Sequence, residues 1–245
     1  TDKNEKEQLA WQTCFGPGIW RIMAAIIGIH GDDKGLILPF DMAPIQIIII
    51  PITFTKKKAD SAKVNKACKE VESKLKKLCY RAKCDNSEET PGFKYNKWEL
   101  LGVPIRIEIG PNEIKKKSLS VALRTETIKK TIKMKSLEKE VINFSKKNDS
   151  DLKKQADSYF KSNTQNAKSF KELKSLIKKY RGFIKVPFCS VNKDGEKCAD
   201  ILKAETEGGN VCGTLYPKEE KVKPDQKCII CNKKAKHVVY IAKSY

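Results

Sequence analysis

Hydrophobic positions along the chain change period several times, and each change marks an element. Ile47, Ile48, Ile49 and Ile50 are β-branched without interruption and closed by Pro51, which predicts a central strand buried on both faces. Between residues 59 and 78 the apolar side chains fall at Val64, Ala67, Cys68, Val71, Leu75 and Leu78. This is helical spacing, with Lys and Glu on the other side. Residues 79–84 read as a short strand, and Pro91-Gly92 as a turn into a helix that ends at Gly102. Ile105, Ile107 and Ile109 alternate with Arg106 and Glu108, which is strand periodicity. Residues 119–125 and 128–134 resemble a hairpin, and 137–160 a helix weakened by the polar residues at 148–150. Strands and helices in this succession predict an α/β domain with a mixed, largely parallel sheet flanked by helices. The apolar stretch at 22–29 has no breaker and predicts a buried helix. Residues 163–168 are polar and linker-like, and a helix over 170–181 then leads into a cysteine-bearing tail.

Charge narrows the choice of partners. With 50 Lys and Arg against 30 Asp and Glu the chain of 245 residues carries +20, which favours a polyanionic partner. Only five of the cations are Arg, and a Lys and Ile bias is also produced by genomic base composition or a hot habitat. No apolar run approaches the ~20 residues that span a bilayer. The longest, 43–54, is strand-sized and bounded by prolines, and the first eight residues are too polar for a secretory signal. A soluble, cytoplasmic chain is expected, its nine cysteines serving as reduced thiols and metal ligands.

Cys228 and Cys231 form a C-x2-C pair, and Cys189 and Cys198 lie upstream with eight residues between them. Four thiolates from two segments are what a structural tetrahedral Zn2+ needs, with Cys212 as an alternative ligand. A redox C-x-x-C, which would normally follow a strand and start a helix, and unligated buried thiols are the competing readings. Such a site would contribute on the order of 10 kcal/mol to a tail too small to have much core of its own. Gly16 and Gly18 followed by Arg21 form a second, weaker signal: glycines admit a close ligand and an arginine fork suits a phosphate, but on these residues alone a turn leading into a buried helix is the favoured reading.

Together these pieces resemble prolyl-tRNA synthetase. The resemblance is carried by Gln12-Thr13-Cys14-Phe15-Gly16-Pro17-Gly18-Ile19-Trp20-Arg21 and by the stretches 30–39 and 43–46. Lys97-Trp98-Glu99-Leu100-Leu101-Gly102-Val103-Pro104-Ile105-Arg106 and the Ala-Lys-Ser-Tyr terminus continue it, so that it covers nearly the whole chain. The cysteine tail points to the archaeal and eukaryotic-like branch. The resemblance implies three parts. Residues 1–42 would be the C-terminal edge of a class II α+β catalytic domain, 43–163 an α/β anticodon-binding domain, and 164–245 an α+β zinc-binding domain. It further implies a homodimeric ligase that activates L-proline with ATP and Mg2+ and transfers it to the 3′ end of tRNA(Pro).

By the same resemblance Gly16, Gly18 and Arg21 correspond to motif 3, with Arg21 on the γ-phosphate and Gln12 and Thr13 beside the same ATP pocket. Pro17 and Trp20 are bulky for their places in that motif. Glu99 and Arg106 take the positions that read the two guanines of proline anticodons, and Tyr95 matches an aromatic that stacks on a neighbouring base. Arg suits guanine O6 and N7, and Glu accepts from N1 and N2 on the other edge, provided the bases are unpaired. Motifs 1 and 2 are not found, so these residues alone are expected not to catalyse adenylation. A non-catalytic RNA-binding module built on the same anticodon domain is the rival reading.

Overall fold

The structure, a computed structural model, describes residues 3–7, 13–53, 58–126 and 129–243. The chain divides into two compact units, Thr1–Ala156 and Asp157–Tyr245.

The first unit opens on α1 (Ile19–His30), followed by β1 (Ile47–Pro51), α2 (Lys58–Lys77), β2 (Ala82–Cys84), α3 (Pro91–Leu100) and β3 (Ile105–Ile109). It continues through α4 (Pro111–Lys116), β4 (Ser118–Leu123), β5 (Lys130–Lys133) and α5 (Leu137–Ser162), whose last turns belong to the second unit. The sheet order is β2-β1-β3-β4-β5. β1 lies between β2 and β3, parallel to both, and all five of its residues are buried. Ile47 and Ile49 face a core made with Val64, Cys68, Val71 and Leu75 of α2 and Leu137, Val141 and Phe144 of α5. Ile48 and Ile50 face the opposite side, against Trp98 and Val103. An all-apolar strand is the signature of this two-sided burial.

The remaining pairings, β3 with β4 and β4 with β5, are antiparallel. The sheet is therefore mixed, as expected, with its parallel pairings confined to β1 and its two neighbours. The reason is connection length. A parallel return needs about a dozen residues or more, whereas the link carrying the six-residue α4 is shorter than that.

Two expectations change. α1 forms where a helix was predicted, but none of its residues is buried; Ile19 and Trp20 are 69% and 78% exposed. An apolar pattern gives a helix something to bury and supplies no surface to bury it against. α5, in contrast, runs unbroken through its polar residues because they are tertiary anchors. Buried Asn148 donates from Nδ2 to the Leu38 carbonyl at 3.2 Å, and Asp149 Oδ1 accepts from Phe40 N at 2.8 Å.

The second unit contains β6 (Thr164–Asn166), α6 (Phe170–Lys179), β7 (Phe183–Phe188), α7 (Glu196–Glu205), β8 (Gly209–Gly213) and β9 (His237–Lys243). The sheet order is β6-β7-β9-β8. The stretch expected to be a linker is β6, a polar edge strand paired in parallel with β7 from Thr164↔Phe183 to Asn166↔Lys185. One strand neighbour and one open edge explain its composition. Ser169 caps α6 by accepting from Glu172 N at 3.2 Å. This unit also has a fuller core than its size suggested, with Leu173, Ile177, Ile184, Val186, Phe188, Leu202, Val239 and Ile241 all buried. Among the described residues no helix is long and apolar enough to cross a membrane.

Candidate functional site

In the first unit a polar cluster sits on the face of the sheet that α3 covers. Tyr95 and Glu99 are four residues apart on α3 and so share one helical face. Arg106 and Glu108 are two apart on β3, pointing away from the core that Ile105, Ile107 and Ile109 enter. α3 itself is set by Thr90, whose Oγ1 caps Phe93 N, and by Pro91 in its first turn. It stops at Gly102, whose φ of +71° and closeness to Leu36 suit no larger residue.

Arg106 is the hub. Its Nη1 donates to Glu99 Oε1 at 2.8 Å and its Nε to Glu108 Oε1 at 3.1 Å. Lys129 Nζ donates to the other Glu108 oxygen at 2.6 Å. The Tyr95 ring centroid is 4.2 Å from the guanidinium carbon and 4.8 Å from Lys129 Nζ. Burial pushes the Tyr95 hydroxyl well above the usual tyrosine range, and the charge and hydrogen bond of Glu108 push it further. The side chains of Arg106 and Glu99 remain 13% and 29% exposed.

Two carboxylates and two cations cancel. A phosphate site would carry a surplus of positive charge, so this cluster is better suited to a neutral partner with donors on one edge and acceptors on another. Two of the five N–H groups of Arg106 are used within the protein, and Glu99 keeps its second oxygen. The arrangement can hold a planar base flat on the guanidinium plane or clasp its edge.

The structure thus brings Tyr95, Glu99 and Arg106 together and adds Glu108, Lys129 and a buried Arg124. Glu108 was legible, because two residues along a strand returns to the same face. Lys129 and Arg124 reach the cluster only through the β3–β4 pairing and the turn after it, which residue spacing does not reveal.

The second cluster is made of thiols. Cys189 directly follows β7, Cys198 lies in the first turn of α7, and Cys228 and Cys231 sit on a tight turn. That turn is closed by Cys228 N to Lys233 O at 2.7 Å and by Asn232 N to Cys228 O at 3.0 Å, with Asn232 at φ +57°. All four sulfurs lie within 4.8 Å of one another, and Cys189 and Cys198 are 3.6 Å apart. A tetrahedral zinc with bonds of about 2.3 Å separates its sulfurs by about 3.8 Å, so the set has the right size.

The electrostatics agree. Burial, then the neighbouring sulfurs, raises the Cys198 thiol. Burial raises Cys189 as well. For Cys231 burial is outweighed by the Lys233 backbone N–H and the adjoining thiols, and its thiol is lowered. Four thiols this close cannot all ionise without a cation, and a thiolate-binding metal supplies one. Cys212 is exposed, is absent from this group, and directs its thiol to the Asn210 carbonyl.

The glycine-rich segment is placed differently. Thr13, Gly16 and Gly18 are exposed, and Gly18 precedes α1 as its N-cap. Arg21 is exposed in the first turn, and its side chain makes no ion pair with a described residue. A Cβ added at Gly16 would meet nothing, and at Gly18 only the Arg21 side chain, so packing within this chain demands neither glycine. Gln12 lies outside the described residues, as do Trp11, Lys56, Lys57 and Tyr245.

Comparison with known proteins gives two family matches: "Anticodon binding domain" over residues 46–144 and "Prolyl-tRNA synthetase, C-terminal" over 170–245. A proline–tRNA ligase of Thermofilum pendens is 40% identical over 249 residues, covering all of this chain and 49% of the relative. That of Pyrococcus horikoshii is 32% identical, covering 96% of this chain and 47% of the relative. Among solved structures, Giardia lamblia prolyl-tRNA synthetase in complex with prolyl-adenylate matches with a TM-score of 0.80 and 29% identity. That match covers 92% of this chain and 48% of the other. The chain spans about half the length of the curated relatives it matches.

Proposed function

We propose, for a chain that belongs to the prolyl-tRNA synthetase family by its anticodon-binding domain and its C-terminal domain, that it reads the anticodon of tRNA(Pro) for a proline–tRNA ligase. The observation that carries this reading is the Glu99–Arg106 pair, a charge-neutral donor and acceptor set open at its edge. Arg106, held from below by Glu108 and Tyr95, presents its remaining N–H groups to guanine O6 and N7. Glu99 accepts from guanine N1 and N2. Because the Tyr95 face is taken by Arg106, its role is to keep the guanidinium flat as the surface on which a base stacks.

In the whole ligase, residues 1–42 would complete the edge of the catalytic domain, 43–163 bind the anticodon and 164–245 carry the metal. The exposed apolar face of α1 supports a place for it within a larger catalytic domain, with Arg21 on the triphosphate and Gln12, Thr13, Gly16 and Gly18 lining the ATP pocket. ATP would come with Mg2+, and the active ligase would be a cytoplasmic homodimer. Cys189, Cys198, Cys228 and Cys231 would hold a structural zinc, which supplies the charge that lets the thiols ionise together.

The test is Arg106→Ala, read against anticodon stem-loops with the two guanines present or replaced by adenine. The substitution should cost about 1–3 kcal/mol of binding to the guanine stem-loop and erase the preference. A preference that survives it removes the anticodon assignment.

A further inference from the structure

Beneath the Glu99–Arg106 pair lies a second arginine that the proposed chemistry does not use. Arg124 follows β4, and its side chain is only 4% exposed. Its Nε donates to the Glu99 main-chain carbonyl at 3.1 Å and its Nη1 to Asp32 Oδ2 at 3.0 Å. Nη2 reaches the other Asp32 oxygen and, at 3.4 Å, the Gly35 carbonyl. Its own backbone N donates to Pro104 O at 2.9 Å, on the approach to β3. The guanidinium therefore joins two places in the fold, the last turn of α3 and the turn at 32–35, and the residue's own backbone N ties them to the root of the strand that carries Arg106.

We propose that Arg124 is a positioning residue for base recognition, fixing the end of α3 so that the Glu99 carboxylate stands opposite Arg106. The inference rests on the anticodon reading and adds a residue to it. Glu99 occupies the next-to-last position of α3, where carbonyls lack helical partners and the turn is free to fray. Its carbonyl already accepts from Gly102 N at 3.0 Å, so the Arg124 bond is more than a cap. The other side of the clamp is equally well fitted. Leu36 N donates to Leu100 O at 3.0 Å, and Gly35, at φ +129°, lies so close to Leu100 that an added Cβ would come within 2.5 Å of its Cα. Glu99, Arg106 and Arg124 line one small cleft floored by Ile48 and Trp98, so movement at Arg124 is felt where the pair meets.

The choice of residue matters. Asp32 supplies the counter-charge that a buried cation needs, and it is held in turn by Lys34 N at 2.9 Å. The bridging geometry requires a planar fork with several donors, which lysine, a single point charge on a flexible stem, does not have. Arg124→Lys therefore keeps the charge and loses the clamp.

Fluorescence anisotropy of the full chain with the guanine and adenine stem-loops provides the test. Arg124→Lys should lower the ratio of the two affinities about five- to tenfold, the size expected when coupled neighbours lose an interaction, with binding of the adenine stem-loop unchanged. Asp32→Asn should lower the ratio in the same direction and by less. A folded Arg124→Lys with an unchanged ratio overturns the assignment, and so does an equal weakening of both stem-loops, which is what a merely structural role predicts. If Arg124→Lys does not fold, Asp32→Asn decides by the same two criteria. Arg106→Ala is measured alongside. A lost preference there with an intact one in the Arg124 and Asp32 variants sinks this inference alone, whereas an intact preference in all three sinks the anticodon reading and this inference with it.

Discussion

In the first unit the candidate recognition residues sit on a regular helix and strand, over a sheet whose core is complete without them. In the second, the four thiols come from a strand end, a first helical turn and an irregular segment, 214–236, that contains no helix or strand. That segment is tied to its sheet by backbone and side-chain bonds: Ile229 N donates to Pro187 O at 3.1 Å and Lys236 N to Phe188 O at 2.9 Å. Glu220 takes Lys185 and the Tyr240 hydroxyl, each at 2.9 Å, and Glu219 meets His237 at 3.2 Å. The contrast separates two ways of fixing chemistry in place. One lays polar side chains on a scaffold that folding has already built, so that under the proposed reading losing them would alter binding and leave the fold. The other makes the reactive side chains part of the scaffold, so that under the proposed metal reading losing them would undo the local structure.

The largest effect expected from breaking this contrast is on the thiols. Cys228→Ser, or treatment with a chelator, should release bound zinc and expose the amides of 214–236 to hydrogen exchange. The cost approaches about 10 kcal/mol if the metal carries that segment as it does in small zinc modules. Metal analysis and exchange mass spectrometry on the intact chain read both, and exchange unaltered by chelation would make the thiols ordinary core residues. Next comes the scaffold of the first unit. Ile107→Ala, a truncation in the fully buried central strands, should cost about 2–5 kcal/mol in denaturant unfolding without touching metal content. A loss of zinc in that variant would show that the two kinds of support are not separate.

The smallest effect sharpens the contrast through pH. The Asp32 carboxyl is held below the usual range chiefly by its bond to Arg124. Asp85 is pushed up by burial, but Ser87 and Trp98 outweigh this and leave it lowered. A depressed carboxylate contributes stability above its ordinary pKa and loses it as pH falls through the lower folded value. The first unit should accordingly weaken only below about pH 4, the usual carboxylate range. The thiol site should fail earlier in the same titration, because protons compete with metal for thiolates. Asp85→Asn should flatten the acid limb of the first unit alone, and an unchanged limb would remove Asp85 from this account.

Much of this was readable from residue pattern, and the failures share a cause. The four isoleucines of β1, the seam of α2 and the alternation of β3 record burial that each element experiences on its own faces. Glu99 and Arg106, by contrast, would pass for a surface ion pair of little energetic consequence were it not for the resemblance to a family. What pattern could not give was anything decided by a distant neighbour. Asn148 and Asp149 look like helix breakers until Leu38 and Phe40 supply partners more than a hundred residues away. Residues 164–166 look like a linker until β7 pairs with them. Arg124 looks like any arginine after a strand until the turn at Asp32 closes over it. Spacing did identify the Cys189, Cys198, Cys228 and Cys231 set, while the exclusion of Cys212 required its position on β8.

The bare outer surface of α1 sets conditions for handling the molecule. Trp20, Ile19, Ile22, Ile29, Met23 and Ile27 face water there, and two copies that met along them would gain by excluding it. Against this acts the mutual repulsion of chains that each carry +20. Only the repulsion is weakened by electrolyte, whose screening reach shrinks from about 30 Å at 0.01 M to about 3 Å at 1 M. Dilute buffer should therefore keep this polypeptide dispersed, and concentrated salt should make it flocculate.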